Sequence, residues 1–423
     1  MTVFQLDRMN IASALTGGFG KDIAINQSTV NLGNQLMFLG ISVLEIPSNI
    51  LLQKIGPDKW IPAQIFAFGT IATFQVFLRN RTGFLIIRSI LGLAEAGYIP
   101  AALYTLSTWY EKHELAKRVG IFFFGMFGGN AISPLLGAGI LRLDGRHGLK
   151  GWQWIFLTEG LITITAAILI LLFLPQSPER PRPCLLKRGL IHFSDQDREI
   201  LAARITRRGR SHEIGVSPAS GIRKAVFNYR RWLHFLLAPC VFSTWSPLTT
   251  YTPTIIMSLG ISHVQANALS AIGASMALPP VFLFSWISDR TGKRGLTVVA
   301  AVLCYLIVLI VSRCLLPHLG KWNRFGIWTV INAFAVCYHP VHNTWLQLNC
   351  PNPAERRVMS SNAGLMAGTQ IFQASDSPTY LTGLITMIAL VACALALAVV
   401  QEVIYLKLNS KGKRNGLHDI YVP

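Results

Sequence analysis

The chain has 423 residues, of which 52% are hydrophobic and only 13% charged, and its mean hydropathy is +0.44. A water-soluble fold of this size would struggle to keep that balance in solution, so most of the chain is expected to lie in lipid. The formal net charge of +19 does not indicate nucleic acid, because the basic residues are scattered over many loops instead of one domain with interleaved aromatics.

A spanning helix needs ~20 predominantly apolar residues. Such runs are predicted at roughly 3–19, 29–52, 60–78, 84–108, 119–141 and 153–174, then at 232–257, 264–287, 295–316, 325–349, 356–373 and 380–405. That is an all-α membrane protein of about twelve helices. The expected organisation is a six-helix bundle over 1–175, a cytoplasmic central loop over 176–231, a second bundle over 232–406 and a cytoplasmic tail over 407–423. Gly 35 and Pro 21 fit, since both residues are commoner in spanning helices than in soluble ones.

An ionisable group inside a span is expensive and faces a cavity or a partner by default. Span one carries LDRMNIASA, where Arg8 offers a planar fork of donors suited to a carboxylate and Asn10 adds a donor and an acceptor. Asp7 either holds Arg8 when no substrate is present or neutralises it for purely structural reasons. Only MTVFQL precedes this pair, so the span reads as clipped, and a removable signal peptide is not expected. The sequons at Asn26 and Asn80 fall in loops expected outside the cell. Glu45 in LEIPSN and Glu159 in LTEG read as helix-end residues that cap or bond between helices.

Span four, RSILGLAEAGYIPAALYTLSTWY, places Arg88 and Glu95 two helical turns apart on one face, with Tyr98 three residues further on. This stripe reads as cavity-lining, with Glu95 the candidate proton carrier; a fixed ion pair that only holds the bundle is the alternative. The region 176–231 is rich in charge and proline and is expected outside the membrane. Span seven contains Trp245, Tyr251 and prolines expected to kink or break it. Span ten contains CYHPVHNTW, whose His339, His342 and Asn343 are expected to share a face; His339 and Asn343 are candidate pocket residues, and no metal site is expected. Span eleven is short, confined between Arg357 and Asp376.

Lys and Arg concentrate in the central loop, in the loops that share its predicted side and in the C-terminal tail, which predicts cytoplasmic termini. The seven cysteines are widely spaced with no C-x-x-C pair and read as apolar fillers. No nucleophile elbow, phosphate-binding loop or H-E-x-x-H zinc motif is present, so neither an enzyme nor a cofactor is expected.

After span eight stands WISDRTGKRG, whose Asp289, Arg290, Gly292, Lys293 and Arg294 form a tight basic turn; LLQKIGPDKW after span two is a degraded copy. This repeat resembles the cytoplasmic gate motif of the major facilitator superfamily. LDRMNIASA, LEIPSNILLQKIGPDKWIP, span four, WQWIFLTEG, YTPTIIMSLG and FQASDSPTY together resemble, in order and over nearly the whole chain, the fungal allantoate permease family in the anion:cation symporter branch. The resemblance implies two six-helix bundles and proton-coupled uptake of a small carboxylate such as allantoate, nicotinate or pantothenate, at the plasma membrane. By the same resemblance Arg8 corresponds to the anion-facing arginine of the family's first helix and Glu95 to the acid of its fourth. From the residues themselves, Asn10, Trp245, Tyr251 and Asn343 are expected to join Arg8 at the anion, and Asp7 to join Glu95 in proton coupling. Arg88, Tyr98 and His339 would line the pocket. An inactive or sensor-type paralogue, or a shortened gene model, is the alternative that the clipped first span and degraded first motif suggest.

Overall fold

The computed structural model describes residues 1–110, 112–177, 180–183, 196–197, 232–349, 362–414 and 421–422. It divides into two compact units, Met1–Gly215 and Val216–Pro423. Most of the predicted central loop lies outside the described residues; its described start forms a short antiparallel hairpin of β1 (Pro175–Ser177) and β2 (Arg180–Pro183).

In the first unit the helices are α1 (Thr2–Thr16), α2 (Phe19–Asp22), α3 (Gln27–Ile55), α4 (Pro57–Phe74), α5 (Arg81–Glu95), α6 (Tyr98–Trp109), α7 (Lys112–Ile140) and α8 (Gly151–Phe173). Each long helix begins or ends where the sequence provides for it. Asn26 caps α3 by accepting from the Thr29 amide at 2.9 Å, and Asn80 caps α5 by accepting from the Gly83 amide at 2.8 Å. Both sequon asparagines are therefore helix caps. Gly56, at φ +97°, turns α3 into α4 with Pro57 at the first helical position. The described helices of the unit include only 15 residues in α1, fewer than a straight span requires.

The second unit contains α9 (Trp232–Ser258), α10 (His263–Ser275), α11 (Leu278–Thr291), α12 (Arg294–Leu315), α13 (Lys321–Phe334), α14 (His339–Asn349), α15 (Asn362–Gly368) and α16 (Leu381–Arg414). Among the described residues, eight segments are long and apolar enough to cross a bilayer by themselves. The remaining predicted spans correspond to α1, to the polar and proline-rich α9, to the divided pair α13 and α14, and to α15. Part of the predicted eleventh span, 356–361, lies outside the described residues.

Three spans are divided where one helix was expected. Span four breaks at Ala96 and Gly97, span eight at Met276 and Ala277, and span ten over 335–338. Span seven, in contrast, stays one helix through Pro239, Pro247 and Pro253, so the expected break there becomes at most a bend. Around the bundles the usual burial pattern is inverted. Val43, Phe66, Phe124, Phe282 and Leu283 are exposed, whereas Asp7, Arg88, Glu95, Glu159 and His342 are buried. Apolar chains on the outside can face lipid, and polar ones must find partners within.

Close helix crossings depend on missing side chains. In α5, a β-carbon at Gly92 would collide with the Met37 carbonyl of α3, and in α15 one at Gly368 would collide with the Ser243 carbonyl of α9. Small residues at such crossings let backbones approach where lipid supplies no hydrophobic drive between helices. Outside the spans, Asp22 at the end of α2 accepts from Trp152 Nε1 and pairs with Lys150 Nζ, both at 2.6 Å. Partial burial opposes ionisation there, but the hydrogen bonds from Lys150 and Trp152 prevail and hold the Asp22 carboxyl below the usual carboxylate range.

Gly92→Val should force α3 and α5 apart and cost about 1–3 kcal/mol, the range for overpacking, read as a lower unfolding temperature of the purified protein in detergent. For Asp22 the folded carboxyl titrates below the unfolded one, so its contribution is present above the unfolded value of about 3.9 and is lost as pH falls through the folded value. The stability difference between the protein and its Asp22→Asn variant should therefore stay constant above about pH 5 and shrink on further acidification.

Candidate functional site

The first unit gathers a buried set of charged groups from α1, α5 and α8. Arg8 donates from Nε to Glu95 Oε2 at 2.8 Å, joining α1 to α5. The Glu95 side chain is fully buried, while that of Arg8 keeps 13% exposure. The Arg8 guanidinium lies 4.4 Å from the centroid of Phe4 and 5.7 Å from that of Phe38, so two rings flank the cation. Its terminal nitrogens make no hydrogen bond among the described residues. The end of the donor fork is thus left available.

The sequence-based expectation placed Asp7 against Arg8; the structure pairs Arg8 with Glu95 instead. Consecutive helical residues point about 100° apart, so Asp7 and Arg8 cannot share a direction. Asp7 turns to α8, where Thr163 lies beside it and Glu159 is its charged neighbour. Asn10, one turn after Asp7, is fully buried and neither of its amide atoms has a hydrogen-bond partner. Glu159 is the ninth residue of the 23-residue α8, well inside the helix and not at the end where the sequence reading put it. Both of its carboxylate oxygens are buried without a hydrogen-bond partner. Buried polar groups left unpaired are uncommon in structural cores and mark places where something else binds or moves.

Arg88 shares its helix with Glu95, as the two-turn spacing requires, and both are buried. Arg88 Nη2 donates to Asn34 of α3, a partner the sequence reading did not identify. A polar residue inside an apolar run was the available signal. Of the fixed pairs raised as the alternative, Arg88–Glu95 or an interhelical one, the structure forms an interhelical pair, Arg8–Glu95, while Arg88 turns to Asn34. Tyr98 does not continue the stripe of Glu95, because α5 ends at Glu95 and Gly97 adopts φ +79° before α6 begins. Its ring stacks on Phe4 at 4.8 Å and meets Phe68 edge-on, which makes it part of the wall behind Arg8.

In the second unit, the structure brings His339, Asn343 and Trp245 together but sets Tyr251 apart. Asn343 Nδ2 lies 3.0 Å from His339 Nε2, and Phe242 bridges His339 and Trp245 with centroid distances of 4.6 and 5.3 Å. Tyr251 instead packs with Phe372 and Tyr380. His342, one turn from His339 on α14, has a different partner and lies 3.3 Å from His234 of α9. The basic turn between α11 and α12 has Gly292 at φ +67° closing α11, a 3.4 Å ion pair between Arg294 and the exposed Asp289, and Arg290 over the Trp286 ring at 5.5 Å. Lys293 precedes α12 as its N-terminal flank.

Comparison with known proteins places this arrangement. The family model described as Major Facilitator Superfamily matches residues 1–374. The chain is 28% identical over 390 residues to the MFS transporter prlL of Fungal sp. (strain NRRL 50135), an alignment covering 88% of this chain and 76% of that protein. It is 29% identical to a putative tartrate transporter of Agrobacterium vitis, covering 70% of this chain and 64% of that one. Among solved structures, a bacterial homologue of the human lysosomal transporter Spinster superposes with a TM-score of 0.69 at 16% identity, covering 96% of this chain and 95% of that one. The likeness in fold extends over nearly the whole chain at low identity. The protein belongs to the major facilitator superfamily, an integral multi-pass membrane protein with that family's two six-helix bundles.

Proposed function

We propose that this member of the superfamily is a proton-coupled importer of a small organic anion, working by alternating access. The observation that carries the proposal is the Arg8–Glu95 pair. An arginine fork at membrane depth, half-engaged through Nε, flanked by Phe4 and Phe38 and still partly accessible, is suited to a carboxylate. Glu95 and a substrate carboxylate compete for the same cation. A proton on Glu95 frees Arg8 for the anion, and by linkage the bound anion favours the proton on Glu95. Asp7, with Glu159 of α8 as a charged neighbour, is the second candidate proton carrier.

The name of the Agrobacterium vitis relative, a putative transporter of the dicarboxylate tartrate, supports an anionic substrate. Allantoate, nicotinate and pantothenate are the candidates that the family resemblance adds. In this reading Asn10 contributes to recognition in the first unit, and Trp245 and Asn343 form the candidate cluster of the second. Arg88, Tyr98 and His339 shape the surroundings. The turn of Asp289, Arg290, Gly292, Lys293 and Arg294 serves the cytoplasmic gate. The excess of Lys and Arg in the central loop and tail supports cytoplasmic termini, and the plasma membrane is the proposed location. Asn26 and Asn80 then lie outside, where glycosylation is possible at both.

Uptake of radiolabelled carboxylates by a transporter-deficient yeast expressing this chain should rise as external pH falls and vanish when the proton gradient is collapsed. Glu95→Gln, which imitates the protonated acid, should remove that pH dependence. Uptake indifferent to pH and to the gradient would reject coupling, and no uptake of any anion tested would favour a non-transporting paralogue. Arg8→Gln should weaken anion binding roughly 10–100-fold, the loss expected for a charge-assisted hydrogen bond. Unchanged affinity in that variant takes Arg8 out of the site.

A further inference from the structure

The tail residues Tyr421 and Val422 return to the second unit and are held there by two asparagines. Asn409, near the end of α16, accepts from the Tyr421 amide at 3.0 Å and donates to the Tyr421 carbonyl at 2.6 Å. Asn349, the last residue of α14, accepts from the Val422 amide at 2.8 Å and donates to the Val422 carbonyl at 3.0 Å. Trp345, one turn earlier on α14, adds a second hydrogen bond to the Val422 carbonyl at 2.9 Å. Each side-chain amide thus satisfies both main-chain groups of one residue, as a neighbouring strand would. Such a grip recognises main-chain groups whatever the side chains. One contact is specific to a side chain: Tyr421 stacks on Tyr405 of α16, with centroids 4.7 Å apart and planes at 6°.

The tail contacts two helices, the long α16 and the short α14. α14 is an 11-residue half-helix, cut off from α13 by the turn at 335–338, and helices of that length are marginal without packing. At its other side α14 connects inward through the same residues. Trp345 meets the ring of His234 edge-on at 4.4 Å, and His234 bonds both His342 of α14 and the Tyr405 hydroxyl of α16, at 3.3 and 3.1 Å. The tail therefore closes a network that runs through α9, α14 and α16.

We propose that the adjoining ends of α14 and α16 form a peptide-docking site whose occupant is the chain's own tail, and that the docked tail is a strap restraining α14. Asn349, Asn409 and Trp345 read the backbone, and Tyr405 provides the aromatic seat. The strap is a local device of the second unit and does not depend on which substrate the protein carries. α14 itself carries His339 and Asn343, so restraint of this helix reaches that cluster as well.

Hydrogen exchange of the purified protein tests this. In the chain ending at Arg414, and separately in Tyr421→Ala, the α14 amides should exchange roughly fivefold faster, as expected for loss of about one net hydrogen bond's stabilisation, while α12 amides stay as they were. A synthetic peptide of residues 416–423, added to the shortened chain, should restore the protection, and Asn349→Asp with Asn409→Asp should abolish that rescue by removing both amide donors. Equal α14 exchange with and without the tail overturns the strap. Faster exchange that the peptide does not correct overturns the docking site. Both changes to the tail leave the bundle's own residues intact, so the comparison does not depend on refolding a damaged core.

Discussion

Lipid offers no hydrogen bonds, so every charge and every interrupted backbone that enters the membrane must bring its partner from the same protein. In the first unit this constraint decides the neighbours of each ionisable group: Arg8 finds Glu95, Arg88 finds Asn34, and Asp7 turns toward α8 and Glu159. The partners come from different helices, which is why these helices have to pack in register. Removing one member would leave its partner buried and uncompensated, which is worse than having neither. The Arg8–Glu95 pair differs from the rest because Arg8 remains partly accessible and its fork only half used. A pair of this kind can be opened by an incoming anion without exposing a bare charge to lipid.

The two units echo each other at two places. The second and third spans of each are joined through a glycine with positive φ, Gly56 in one and Gly292 in the other, so a motif degraded in sequence is retained as a turn. The fourth span of each is divided beside its titratable residue, immediately after Glu95 in the first unit and immediately before His339 in the second. A division of this sort places helix ends at membrane depth, as transporters do where substrates and ions bind. The device occurs twice although the residues beside it differ, an acid in one and a histidine in the other.

Span composition was legible because lipid imposes a crude rule, namely length and apolarity. The positions of Arg8, Glu95 and Arg88 were legible too, as costly residues in apolar runs. Which of them pair was not. Adjacency in sequence suggested Asp7 with Arg8, and the helical repeat of about 100° per residue sends them to different helices. Tyr98 was misplaced for a related reason: periodicity assumes an unbroken helix, and Gly97 breaks it. Helical spacing puts His339 and His342 one turn apart on α14, but it does not specify their different partners, Asn343 and His234. Prolines were an incomplete guide, since three of them leave α9 continuous while spans four and ten divide at points where proline lies beyond the break.

By itself, then, the sequence determined that the chain crosses a membrane many times, where its basic turns fall, and which few side chains are too costly in lipid to be there by accident. These are local properties, set by apolar run length, by the φ preferences of glycine and proline and by the desolvation of charge. Tertiary structure alone decided the Arg8–Glu95 contact across α1 and α5, the placement of Glu159 beside Asp7, and the grip of Asn349 and Asn409 on the tail. Each joins residues far apart in the chain through a helix-to-helix register. That register is set by close crossings such as Gly92 over Met37 and by pairings between helices such as Arg8 with Glu95 and Arg88 with Asn34, which no single segment encodes.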